Sequence, residues 1–456
     1  MSGPSAGGGV AKLLGASAGL KVLVMGTSGA MSVVTTSLVI HHFGVDAYAQ
    51  FGLLAAMAAL LPFADLGLSA AVMNTVSASA DPTRDPKVRG TLLSALRLLI
   101  VSGAAILAVG LLISGLGLWD ALLGAGLDPN GGSLAAFACL AVFCLTLPFG
   151  VGQRVLTGLH KNHVQVGLQA LAAPFLLLLV LGAVLLGASS NVLPVFSYLA
   201  TTLVAVACFL VAMRLLGPQL RGVLRDVPKL RTVRGHRVGD VAWPMLVQLL
   251  ALPIALQTDR LLLSHLAGPH ELAQYNLGSQ MFGLIVQLIN TTGIALWPVF
   301  AGARARGEIR SPYPATLAFL GVGMGLATVL ALLLPVITPI LAGNALRLDG
   351  WLVVGFVAFI ATQAAKYPLG MYMTSPEGLR FQTLPIVILA PLNLGISWAL
   401  IAPLGAAGPI LGSAISVTLC QVIPNYFYVR RDLRRRRAAR RDAVTADLVL
   451  ATDYPT

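Results

Sequence analysis

Of 456 residues, 57% are apolar and only 10% are charged, and the mean hydropathy is +0.85. Soluble domains carry about 25% charged residues, so charge this sparse excludes a water-facing surface of this size and leaves a polytopic membrane protein. The net charge of +13 does not point to nucleic acid, because the basic residues sit in short blocks between apolar runs, the arrangement of cytoplasmic membrane loops.

The first nineteen residues are rich in Gly, Ala and Ser and show no cleavage site before a short apolar core, so no removable leader is expected. Twelve apolar segments follow, near 18–40, 47–76, 92–116, 134–156, 164–187, 192–214, 242–264, 271–299, 314–341, 350–373, 382–402 and 406–428. Each allows roughly 20 helical residues, enough for about 30 Å of hydrocarbon. Alternate connections carry the Lys and Arg residues: Arg84, Lys87 and Arg89; Arg154 and Lys161; a run from Arg214 to Arg237; Arg304, Arg306 and Arg310; Arg380; and eight arginines from Arg430 to Arg441. Arg347 is the exception on the other side. This asymmetry places both termini in the cytoplasm of a multi-pass protein of the cell membrane.

The predicted fold class is therefore all-α, with 12 transmembrane helices. The expected divisions are an N-terminal tail (1–17), an N-lobe of helices 1–6 (18–216), a basic linker (217–240), a C-lobe of helices 7–12 (241–429) and a basic tail (430–456). The outer loops are short, and the longest, Gly117 to Ser133, carries Trp119, Asp120 and Asp128. Cys139, Cys144, Cys208 and Cys420 all fall inside apolar segments without ligand spacing and read as packing residues. No metal site or cofactor is expected; His41, His42, His265 and His270 read as solvated outer-turn residues.

An internal repeat supports the division. The stretch Asp46 to Asn74 is followed 224 positions later, without a gap, by His270 to Pro298. Ala49/Ala273, Gln50/Gln274, Leu53/Leu277, Met57/Met281, Leu60/Leu284 and Ala71/Ala295 are identical, as are Leu38/Leu262, His41/His265 and Gly44/Gly268 upstream. Both halves start on the same side, so the six-helix repeats run parallel rather than inverted.

The pattern FGVDAYAQFGLLAAMAALLPFADLGLSAAV resembles the second helix and preceding outer turn of polysaccharide (O-antigen-type) flippases, which belong to the multidrug/oligosaccharidyl-lipid/polysaccharide exporter superfamily. TDRLLLSHLAGPHELAQY, Thr258 to Tyr275, is similar to that family's seventh helix and its turn into the eighth. The second half has no DLGL counterpart: Ile289, Asn290, Thr291 and Thr292 stand there, a polar break without the carboxylate. The resemblance implies two six-helix bundles around a central cavity. It also implies alternating access that moves an undecaprenyl-pyrophosphate-linked oligosaccharide to the outer leaflet, coupled to an ion gradient or the membrane potential.

Such cargo needs buried cations and hydrogen-bonding groups, because hydrocarbon penalises unpaired charge. Asp65 sits in the inner half of its helix between Pro62 and Gly67, where a kink is expected. It reads either as an ion-coupling site or as a cap for freed backbone. Arg97 reaches a cavity, snorkels to the interface or pairs with Asp65. Asp259 and Arg260, adjacent and so about 100° apart on a helix, divide between ion coupling and substrate contact. Lys366, beside Gln363, Tyr367 and Pro368, is a phosphate-binding or titrating candidate. Gln280, Gln287, Asn290 and Thr291 share one helical face and suit a sugar-binding wall or inter-helix hydrogen bonds.

The residues thus support a lipid-linked oligosaccharide flippase for cell-surface polysaccharide synthesis, with an ion-coupled multidrug exporter of the same superfamily as the alternative. An enzyme would need acid–base residues gathered at a membrane face, usually with a substantial outer loop, and the outer loops are short and nearly uncharged. The expected partners are the lipid-linked glycan, anionic headgroups at the basic tail and other glycan-assembly proteins such as a polymerase.

Overall fold

The computed structural model describes residues 6–229, 258–294, 296–343 and 345–452. The linker residues Arg231, Arg234 and Arg237 and the first part of the seventh segment, 242–257, lie outside them. Every regular element among the described residues is helical. In chain order these are α1 (Ala6–Phe43), α2 (Val45–Met57), α3 (Leu68–Ala78), α4 (Pro86–Gly115), α5 (Trp119–Leu123), α6 (Gly132–Thr146), α7 (Gly150–Gly158), α8 (Asn162–Gln169), α9 (Ala172–Leu186), α10 (Leu193–Leu216) and α11 (Pro218–Asp226). They continue as α12 (258–266), α13 (Pro269–Ile294), α14 (Leu296–Ala305), α15 (Tyr313–Ala342), α16 (Gly350–Tyr372), α17 (Pro376–Leu404), α18 (Ala407–Val417) and α19 (Ile423–Thr452).

Several boundaries follow from local chemistry. Asp85 accepts from Lys87 N at 2.8 Å and Pro86 opens α4, Asp349 caps α16 through Trp351 N, and Ser375 caps α17 through Gly378 N. In each case a side-chain oxygen takes up an amide that has no partner inside the helix. Between α18 and α19 a π-helical turn, Thr418–Val422, precedes Pro424, whose ring cannot complete the regular ladder. Helix α19 continues to Thr452, through most of the basic tail.

Eight described helices or continuous helix pairs are long and apolar enough to cross a membrane. Their outward faces are apolar as well: Leu186 is 86% exposed and Leu332 73%, surface that lipid rather than water must cover. The molecule is a multi-pass membrane protein.

Two compact units emerge, Met1–Ala273 with Thr338–Arg347, and Gln274–Ile337 with Leu348–Thr456. The core of the first runs through α3, α4, α7, α10 and α11. Leu68, Val72 and Val76 form one stripe and Val88, Leu92, Leu96 and Leu99 another, meeting Val155, Phe209, Leu216 and Leu220. Gly152 lets α7 touch the α10 backbone, where a Cβ would collide with Phe209. In the second unit Gly408 and Gly412, one turn apart, bring α18 onto the α17 backbone at Leu400–Ile401 and Ser397. Small residues that allow backbone approach are how helices associate where lipid and side chains are equally apolar. Ser413 Oγ donates to Asn393 Oδ1 across that contact at 3.2 Å, and Ser397 Oγ donates to the same oxygen from within α17 at 3.3 Å. Phe356 stacks on Phe282 at 5.1 Å over the space left by Gly278.

The repeated glutamines do matching work. Gln50 Oε1 accepts from Asp128 N at 2.9 Å, and Gln274 Oε1 accepts from Asp349 N at 3.0 Å. Each fixes the loop that leads into a helix of its own unit. Gln50 also donates to Asn191 Oδ1 at 2.7 Å, and Asn191 donates to Asp128 Oδ2 at 3.0 Å, closing a ring of three side chains.

The expected linker, 217–240, contains the short amphipathic α11 and belongs to the first unit as far as it is described. Leu220 and Val223 are buried on one face, while Arg221 and Arg225 are exposed on the other. Arg89 Nη2 meets Asp226 Oδ2 at 2.6 Å and Lys229 Nζ meets Oδ1 at 3.1 Å. These hydrogen bonds hold the Asp226 carboxyl below the usual carboxylate range.

Candidate functional site

The second segment was expected to kink at Pro62; it breaks instead. After Met57 the chain turns through two 3₁₀ pieces, Ala58–Leu60 and Pro62–Asp65. Leu66 and Gly67 then both take positive φ, 50° and 70°, before α3 resumes. Pro62 has no N–H, so the Ala58 carbonyl accepts from Leu61 N at 3.2 Å instead. One turn earlier, the Tyr198 hydroxyl donates to Leu54 O at 2.7 Å and accepts from Ala58 N at 3.1 Å. Those two groups belong to the last i→i−4 rung of α2, so the hydroxyl joins α10 to the end of that helix just before the break. Ser102 Oγ donates to Ala64 O at 2.9 Å, satisfying a carbonyl beyond the break.

The break opens a cavity of about 440 Å³ inside the first unit, between α2 and its 3₁₀ turns, α6, α7 and α10. Asp65, Arg154, Gln153, Thr146, Ser197, Tyr198 and Thr201 line it, with Phe143, Leu61 and Leu147 among the apolar walls. The volume lies in the usual range for small-molecule sites, roughly 300–1,000 Å³. One carboxylate, one guanidinium and five hydroxyl or amide groups can exchange a bound ion's hydration shell for fixed protein dipoles.

Of the residues singled out from sequence, Asp65 lines this cavity. Arg97 does not. Its guanidinium donates to three carbonyls at the end of α11: Nε to Val227 O at 3.0 Å, and Nη2 to Asp226 O at 2.6 Å and Lys229 O at 2.9 Å. A cation at the negative end of a helix is a favourable arrangement. The expectations that it contacts cargo, snorkels free or pairs with Asp65 give way to this capping role, because the carbonyls engage its donors. Asp259 and Arg260 lie on α12 in the first unit, Asp259 2% exposed and Arg260 half-buried. Arg260 is close to Tyr48, which shares a hydrogen bond with Thr36.

The remaining candidates belong to the second unit. Lys366 Nζ lies 4.8 Å from the centroid of its neighbour's ring, Tyr367, a cation–π contact. On α13, Gln280, Asn290 and Thr291 are half-buried and Gln287 is exposed. The polar residues at Asn290–Thr292 do not interrupt the helix, since α13 is continuous to Ile294.

Sequence reading missed Arg154, Gln153 and the hydroxyls of α10. Arg154 was taken only as a marker of topology. The available signal was a Gln–Arg pair three residues after Pro148–Phe149–Gly150, inside an otherwise apolar segment.

A family model described as polysaccharide biosynthesis protein matches residues 15–303. The chain belongs to the polysaccharide biosynthesis protein family. Both the broken second segment and its cavity lie within the region that defines family membership. A search of curated proteins by sequence returned no match. Among solved structures, this polysaccharide biosynthesis protein is similar to the lipid II flippase MurJ in an inward closed conformation. The identity there is 12% and the TM-score 0.63, over 96% of this chain and 93% of the other. It is also similar to an inward-facing multidrug resistance MATE family transporter of the MOP superfamily, at 15% identity and TM-score 0.61, over 92% and 98% of the two chains. A MOP superfamily transporter from Pyrococcus furiosus, reported with a binding pocket of reverse polarity, gives 14% identity and TM-score 0.52 over 92% and 94%. At these identities what is shared is the fold.

Proposed function

We propose that this protein is a transporter that flips a lipid-linked oligosaccharide, of undecaprenyl-pyrophosphate type, from the inner to the outer leaflet of the cytoplasmic membrane by alternating access. The observation that carries the proposal is membership of the polysaccharide biosynthesis protein family in a chain whose fold is also that of a lipid II flippase. No chemical reaction is assigned to it. The proposed architecture has 12 transmembrane helices in two parallel repeats around a central cavity, divided at the basic linker 217–240, with both termini cytoplasmic. The matching contacts of Gln50 and Gln274 support the repeat.

In this reading Asp65 couples transport to an ion, with Arg154 in the same cavity as its electrostatic counterweight. Arg260 and Lys366 supply positive charge for pyrophosphate, Asp259 assists coupling, and Gln280, Gln287, Asn290 and Thr291 hydrogen-bond sugar. Other glycan-assembly proteins are the proposed partners. Proteoliposomes containing the purified protein test the reading by comparing translocation of a lipid-linked oligosaccharide with uptake of a cationic dye. Glycan movement is the expected result; dye uptake alone would replace the flippase with a multidrug exporter.

A further inference from the structure

The basic segment of α19 was expected to attract anionic headgroups as a block, but it distributes its charges over distinct faces. Asp432 Oδ2 accepts from Tyr372 Oη at 2.6 Å and from Arg436 Nε at 2.8 Å, fixing one face to α16. Arg430, Arg434 and Arg437 lie on the side of Tyr313. Arg431 and Arg435, one turn apart, point elsewhere: with Glu377, Phe381, Phe427 and Tyr428 they line a cavity of about 340 Å³ between α19 and the first turns of α17. Asp432 also borders it, already engaged by its two partners.

Among the described residues, Arg431, Arg435 and Glu377 have no hydrogen bond or ion pair. Two guanidiniums on one face can grip the non-ester oxygens of a phosphate. A pure anion site would not place a carboxylate in the opposite wall. Glu377 and the rings of Phe381 and Tyr428, 4.9 Å apart, instead suit a compact cation, by charge and by cation–π attraction. Phe427, 58% exposed at the rim, supplies apolar surface at the mouth.

We propose that this cavity is a binding site for a zwitterionic phosphoethanolamine headgroup of a membrane phospholipid. The phosphate rests on Arg431 and Arg435, the ammonium on Glu377 and the aromatic faces, and the acyl chains leave past Phe427. The site shares no residue with those proposed for transport, and its assignment does not rest on the flippase reading.

Native mass spectrometry of the full-length protein tests it, with phosphatidylethanolamine, phosphatidylglycerol and phosphatidylcholine of matched chains supplied in competition. The expected result is retention of phosphatidylethanolamine over both competitors by about tenfold, the scale of one charge-assisted hydrogen bond. Glu377→Gln should erase the preference over phosphatidylglycerol while keeping total lipid retention. Arg431→Gln with Arg435→Gln should reduce retention of both. Equal retention of the three lipids by the unaltered protein, or an unchanged preference in Glu377→Gln, would overturn the assignment. Displacement of bound lipid by free O-phosphoethanolamine at equal concentration would move the ligand from the membrane to solution and overturn it as well. Size-exclusion profiles of the variants separate loss of the site from loss of the fold.

Discussion

Two stretches that share their register and many of their residues adopt different backbones. From Asp46 to Asn74 the chain forms α2, two 3₁₀ turns, a left-handed pair and α3; from His270 onward α13 runs unbroken to Ile294. Where the first stretch has Pro62, the second has Val286; where the first has Leu66 and Gly67, the second has Asn290 and Thr291. The shared glutamine secures the same end of both. One missing N–H and a left-handed Leu66–Gly67 pair therefore mark the difference, while the outer halves stay alike. The cavity and the carboxylate occur on the broken side. Loss of helical regularity is what creates room for them.

The comparison can be broken at several points. Asp65→Asn or Arg154→Ala should each lower transport in proteoliposomes by about ten- to a hundredfold, equivalent to roughly 1.5–3 kcal/mol for a hydrogen bond to a charged group. Full activity in both variants would remove the cavity from the mechanism. Tyr198→Phe should destabilise the folded protein by about 1–3 kcal/mol in mixed-micelle unfolding, since Leu54 O and Ala58 N lose their bridging hydroxyl. Unchanged stability in Tyr198→Phe would mean that the contact does not anchor α2 on α10.

Smaller effects sharpen the likeness. Gln50→Ala should cost about 2 kcal/mol and Gln274→Ala about 1 kcal/mol, because Gln50 serves a three-residue ring and Gln274 a single loop bond. Equal values would mean the ring adds nothing. The smallest effect concerns the clasp of α11 on α4. The Asp226 carboxyl is held below its ordinary value by Arg89 and Lys229. Its stabilisation is therefore complete above the unfolded-state carboxylate pKa and lost as pH falls through the depressed folded value. The protection of α11 amides, after division by their intrinsic pH-dependent exchange rates, should be flat through neutrality and fall only in acid, and Asp226→Asn should remove that acid dependence.

Much of this was legible in the sequence. Apolar runs marked the helices, and Pro62 with Gly67 marked the place where the second segment fails. The extent of the failure was not legible, because Leu66 takes a left-handed φ that its side chain does not advertise, and the contact that holds the helix end before it comes from Tyr198, 140 residues away from Ala58. Arg97 misled for a related reason. A basic residue in an apolar run suggests a ligand or a snorkel, yet its partners are main-chain carbonyls, which no side-chain pattern advertises. Arg154 was overlooked because one charge near a segment end serves topology and a cavity equally well. Asn290 and Thr291 stay inside the helix, because polar residues alone remove no backbone donor.

The Tyr198 contact also ties the broken segment to its neighbour. One hydroxyl on α10 touches both the carbonyl and the amide at the last rung of α2, so that end of the helix and α10 are mechanically coupled just where the chain leaves its regular path. A shift of either one carries the other with it or gives up two hydrogen bonds, which makes this rung the fixed point about which the break is built.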